Sequence, residues 1–167
     1  MKNYRVFLSI MLCLMAVGMS AQKLQKGVSQ ELANQRKANI SNVVYDLTFN
    51  IPADVKTPVT GKAIITFDLQ NKQDVVLDFQ GGYSGNCQIN RKKRSASQQK
   101  EHIVLPAKFV KQGTNTVEID FASLDKALKR QQDYLYTMLA PGLAPTLFPC
   151  FNQSDLKGKY VTTINVP

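Results

Sequence analysis

The sequence predicts a mostly β fold, an antiparallel β-sandwich with one short helix. Three observations predict it. Apolar residues recur at every second position over several short runs, Gly, Pro and Asn punctuate the gaps between those runs, and helical spacing interrupts the pattern only over 123–131.

The chain opens with Lys2 and Arg5 ahead of an apolar run, Val6 to Met19, followed by small residues at Gly18, Ser20 and Ala21. This is the layout of a secretory signal peptide over 1–21, and it predicts an exported protein, periplasmic or extracellular. The fourteen residues of the run would make a helix of only ~21 Å, against a hydrocarbon core of about 30 Å. No membrane span is therefore expected once the signal is cleaved. Leu12 stands before Cys13 where a lipidated cysteine needs a small residue. Loss of Lys2 and Arg5 lowers the formal charge from +9 to +7. Roughly 146 residues remain, the usual size of a single domain. Such a length buries about 68–70% of its unfolded surface and needs no disulfide.

Residues 22–39 are polar and rich in Gln and Lys, an N-terminal arm with one turn of helix. The β domain is expected over 40–167. Tyr45, Leu47, Phe49 and Ile51 share one face of the first strand, with Asp46, Thr48 and Asn50 opposite. Pro52 and the 58–61 stretch end it. Ala63, Ile65, Phe67 and Leu69 repeat the pattern, and Asn71-Lys72 turns the chain into a third strand carrying Val75, Leu77 and Phe79. Gly81, Gly82 and Gly85 predict a loop. Ile103–Leu105 and Val117–Phe121 are two further strands. Ser123 is placed to cap the helix over 123–131, where Leu124, Ala127 and Leu128 share a face. Tyr160 to Val166 alternates again as a final strand with an open edge.

The chemistry-bearing residues are few. His102, the single histidine, starts a strand and reads as an exposed strand-end side chain. Arg91–Arg94 is the densest charge run. It lies between two strands and lacks interleaved aromatics for base stacking, so it reads as a solvated hairpin and no nucleic-acid partner is expected. Cys87 and Cys150 read as buried thiols, with a disulfide as the alternative. Tyr134, Tyr136, Phe148 and Phe151 form an aromatic cluster expected in the core.

Two segments go further. Asp133-Tyr134-Leu135-Tyr136-Thr137 is followed by Phe148-Pro149-Cys150-Phe151-Asn152-Gln153-Ser154-Asp155-Leu156-Lys157. Upstream stand Gly113-Thr114-Asn115-Thr116-Val117-Glu118-Ile119 and Ile40-Ser41-Asn42-Val43-Val44-Tyr45-Asp46-Leu47. Together they resemble the N-terminal domain of the aminopeptidase N family of zinc metallopeptidases, over nearly all of the mature chain. The motif positions are Tyr134, Tyr136, Phe148, Pro149, Cys150, Phe151, Asp155 and Lys157.

The resemblance implies a domain that supports a catalytic domain and lines the peptide cleft, with zinc held elsewhere in the full-length enzyme. No cofactor is expected in this chain. Two histidines one helical turn apart, as in H-E-x-x-H, cannot come from His102 alone, and the GAMEN-type segment is absent. The chain is thus expected to be inactive by itself, its partners being a separately encoded catalytic domain and peptides. In the family a Gln or Glu after the Tyr-Thr pair holds the substrate's amino group, and the matching position here is Ala140. Asn152, Ser154 and Gly158 replace a family Asp, Pro and Ala. A stand-alone secreted β-sandwich binding module, or the remnant of a truncated gene, is the alternative reading.

Overall fold

The alternating runs become strands of two facing sheets. In a computed structural model, residues 24–124, 126–131 and 133–167 are described. The signal peptide expected at 1–21 lies outside them. In chain order the elements are helix α1 (Gln30–Asn39), β1 (Ile40–Asn50), β2 (Thr60–Leu69), β3 (Val75–Asp78), β4 (Gly82–Ile89), β5 (Lys92–Ser95), β6 (Ser97–Gln99) and β7 (His102–Leu105). A 3-10 turn at Ala107–Phe109 leads to β8 (Gly113–Ala122), β9 (Leu128–Arg130), β10 (Leu135–Thr137), helix α2 (Ala144–Leu147) and β11 (Gly158–Asn165).

The larger sheet has six strands in the order β11-β1-β2-β8-β4-β5, and a smaller one runs β3-β7-β6. All pairings are antiparallel except β1 with β11, which run parallel. The period-two pattern works as expected. Tyr45, Leu47 and Phe49 of β1, Ala63, Ile65 and Phe67 of β2, and Val117 and Ile119 of β8 are all buried. They meet Val75, Leu77, Ile103 and Leu105 of the smaller sheet in one core. Rings lock the layers together edge to face, Phe79 against Phe121 at 5.8 Å and Phe67 against Phe151 at 5.6 Å.

The helix lies elsewhere than the sequence predicts. Ser29 caps α1 by accepting from the Leu32 amide at 3.2 Å, and ten residues of the polar arm become helical where one turn was expected. Among the described residues of 123–131 no helix forms. The Ser123 hydroxyl donates to the Leu147 carbonyl at 2.6 Å instead of capping, and the Leu124 amide donates to Thr146 at 2.8 Å. Leu128–Arg130 then pairs with Leu135–Thr137 as a small hairpin. Tertiary partners for the backbone thus override a local helical spacing.

Two further expectations change. Gly82–Ile89 is a strand rather than a loop, with its register shifted between Tyr83 and Cys87. His102 is buried, at 1% exposure. Arg91 does sit at a hairpin, since Asn90 and Arg91 have φ of 51° and 65°, the left-handed pair that a two-residue turn requires. Cys87 and Cys150 are buried free thiols.

Candidate functional site

Asp78 ends β3 inside the protein, the one carboxylate in the run Val75-Val76-Leu77-Asp78-Phe79. Arg36 of α1 grips it with both terminal nitrogens, at 2.9 and 2.7 Å, and also donates to the Val76 carbonyl at 2.8 Å. His102 of β7 adds its Nδ1 at 2.9 Å, and the Asn152 amide adds a fourth donor at 2.8 Å. Both partners of the ion pair are almost wholly buried, so the hydrogen bonds must satisfy the charge that water cannot. Burial pushes the Asp78 carboxyl up, but the bonds from His102 and Arg36 outweigh it and hold the group below the usual carboxylate range.

This hub fixes the motif segment. Cys150 exchanges backbone hydrogen bonds with Asp78, at 2.7 and 3.1 Å, and so extends the smaller sheet beyond β3. The Phe151 amide donates to the Tyr45 hydroxyl at 2.9 Å. Burial drives the Tyr45 phenol and the Cys150 thiol well above their ordinary pKa values. Neither is a nucleophile under ordinary conditions.

The predicted motif therefore divides. Phe148, Pro149, Cys150 and Phe151 are buried framework. Tyr134 and Tyr136 are exposed, at 62% and 48%, and stack on each other rather than entering the core. They stand on β10, whose three residues are all exposed, while Leu128 of its partner strand β9 is the hairpin residue that enters the core. Asp155 lies at the surface, where bonds from Gln153 and Lys37 lower its pKa.

Ala140 lies with Phe151, Asn152, Gln153, Lys157 and Tyr160 along an open cleft of about 660 Å³. Its methyl group presents no charge there. A second, apolar groove of about 340 Å³ adjoins it, with Leu47, Phe49 and Phe148 at its base and Leu135, Leu139, Tyr160 and Ile164 along its sides. Tyr160 lines both and stacks on Tyr45 with ring centres 4.7 Å apart. Gly158 permits that close approach. A Cβ there would meet the Tyr45 ring at 2.7 Å and the Val43 carbonyl at 3.2 Å, so the Ala of the family pattern does not fit this packing.

A catalytic zinc needs at least three protein ligands. Among the described residues no group of three His, Cys, Asp or Glu is placed to hold a metal ion, and both ring nitrogens of His102 are already bonded. These residues do not fit the metal.

Sequence reasoning named Phe151 and Ala140 but missed Arg36, Asp78 and the burial of His102. A lone carboxylate inside an apolar strand was the available signal for Asp78. Arg36, in a helix polar all round, gave none.

No protein-family model and no curated protein sequence matches the chain. Solved structures do. The M1 zinc metallopeptidase from Deinococcus radiodurans superposes with a TM-score of 0.65 at 15% identity, covering 77% of this chain and 33% of that one. Leukotriene A4 hydrolase from Saccharomyces cerevisiae gives 0.61 at 20%, covering 78% and 24%. The yeast LTA4 hydrolase in complex with bestatin gives 0.61 at 19%, covering 90% and 26%. The fold is that of the N-terminal β domain of M1 zinc metallopeptidases, and the chain spans about a third of the length of the metallopeptidase and about a quarter of the hydrolase.

Proposed function

We propose that this chain serves as the N-terminal, non-catalytic domain of an exported zinc aminopeptidase-like protein, supporting a catalytic domain and lining one side of its peptide cleft. One observation carries the reading: an apolar flank left open beside the motif. Tyr134, Leu135, Tyr136, Tyr160 and Ile164 each expose 42% or more of their surface, next to the groove over Phe148. Contiguous apolar surface of this kind marks an interaction site. Its position against the buried motif, on an M1 fold, supports a catalytic domain as the partner.

In this arrangement zinc and its general base belong to the partner, and this chain contributes shape. The hub around Asp78 holds Phe151 and Asn152 in place, and Ala140 borders the cleft. Ala140 gives a substrate ammonium no bond from this side.

The test is a chimera carrying this domain in place of the N-terminal part of an M1 zinc metallopeptidase. It should release amino acids from aminoacyl reporters weakly, and Ala140→Gln should raise kcat/KM. A hydrogen bond to a charged group is worth about 1.5–3 kcal/mol, roughly a ten- to hundredfold effect. A chimera that folds but never docks its two parts overturns the supporting role. Docking without any response to Ala140→Gln overturns the assignment of position 140.

A further inference from the structure

His102 is buried between two acceptors. Its Nδ1 lies 2.9 Å from Asp78 Oδ1 and its Nε2 lies 2.7 Å from the backbone carbonyl of Gln25. A carbonyl oxygen can only accept. The Asp78 carboxylate, already bonded by Arg36 and by the Asn152 amide, also only accepts. Each ring nitrogen must therefore carry a proton. We infer that His102 is a buried imidazolium that latches residues 24–28, the segment just ahead of α1, to the domain, and that loss of one proton releases this segment.

The remaining proton stays on Nδ1, because that nitrogen faces a full negative charge. Nε2 is then left with a lone pair aimed at the lone pairs of Gln25, and attraction becomes repulsion. Two other bonds hold residues 24–28, from Lys100 Nζ to the Leu24 carbonyl at 2.7 Å and from the Gly27 amide to the Glu101 carboxylate at 3.0 Å. Both are exposed and contribute little in water. The charged groups facing the ring are Asp78 from β3, which favours the proton, and Arg36 from α1, which opposes it. Residues 24–28 supply the Gln25 carbonyl.

The bond to Asp78 raises the imidazole's pKa above its ordinary value, against the opposing effect of burial. A raised folded pKa means that the latch is complete below the unfolded pKa of about 6.5 and is lost as pH climbs through the folded one. Residues 24–28 are thus held below the folded pKa of His102 and freed above it.

The chain's single histidine makes the test direct. Ring nitrogen NMR on the purified, 15N-histidine-labelled chain should show both nitrogens protonated at about pH 6. One transition at higher pH should coincide with at least a tenfold rise in trypsin cleavage after Lys26, while core amides stay protected. A neutral ring at about pH 6 overturns the inference, as does a titration that leaves cleavage unchanged. His102→Gln should make this segment equally cleavable at every pH, and a variant that keeps the transition overturns it too. Should that variant not fold, the wild-type titration decides alone. Glu101→Gln should leave the transition in place.

Discussion

The sequence motif falls into two regions that live in opposite environments. Leu147–Phe151 is buried and fastened by Asp78, Tyr45 and Ser123. Leu135–Thr137 is one strand of a two-stranded hairpin, and its three residues are all exposed. The two edges of the large sheet repeat the contrast. β5 presents Lys92, Lys93 and Arg94, charges that discourage a further strand. β11 presents Tyr160, Val161 and Ile164, each more than half exposed. Exposed aromatic and β-branched residues on one flank, with charge on the other, teach that the surface is polarised between an apolar edge and a charged one.

The contrast can be broken first at the hub. Asp78→Ala leaves Arg36 buried without its counter-ion, and such losses cost about 3–5 kcal/mol. Urea unfolding should show a loss of that size and a looser Phe148–Phe151 segment. The contribution of Asp78 is present above its unfolded pKa of about 3.9 and fades as pH falls through the lower folded value. Acid unfolding should therefore be shifted to higher pH in the variant.

Phe148→Ala should cost about 3–5 kcal/mol by emptying the base of the groove. The paired substitution Tyr134→Ala with Tyr136→Ala should stay within about 0.5 kcal/mol each, as exposed positions do. Equal losses at both places would erase the division of the motif.

Gly158→Ala sharpens it on the β11 side. Forcing a methyl group against the Tyr45 ring should cost about 1–3 kcal/mol, read as a fall in urea midpoint. No loss would show that the Tyr45–Tyr160 stack yields easily. The smallest effect on stability is expected from Ile164→Lys, within about 0.5 kcal/mol. It should nonetheless reduce self-association in light scattering, since the apolar edge is interrupted by charge.

The strands were legible because period two survives wherever one face meets a core, as at Tyr45-Leu47-Phe49 and Ala63-Ile65-Phe67. The helix was misplaced because spacing over Leu124, Ala127 and Leu128 carries no record of Thr146 and Leu147, whose carbonyls accept from the Leu124 amide and the Ser123 hydroxyl. Burial of Tyr134 and Tyr136 was misread for a related reason: aromatic content does not say whether a second layer is present. Of the site, the framework half was legible at Phe148 and Phe151. Arg36 and His102 were not, because their partners lie 42 and 24 residues away from them along the chain, at Asp78.

The parallel pairing of β1 with β11 aligns Asn50 with Asn165, 115 positions apart. The seam between them can zip only when nearly the whole chain is available, and long-range pairing of this kind is slow relative to hairpins such as β4–β5. Before that moment the outer backbone groups of β1 have no partner, and Tyr45 lacks the ring of Tyr160 above it. Completion of the sheet is thus a late event that depends on residues 158–165. A nascent chain shorter than this would offer β1 itself as the sticky edge.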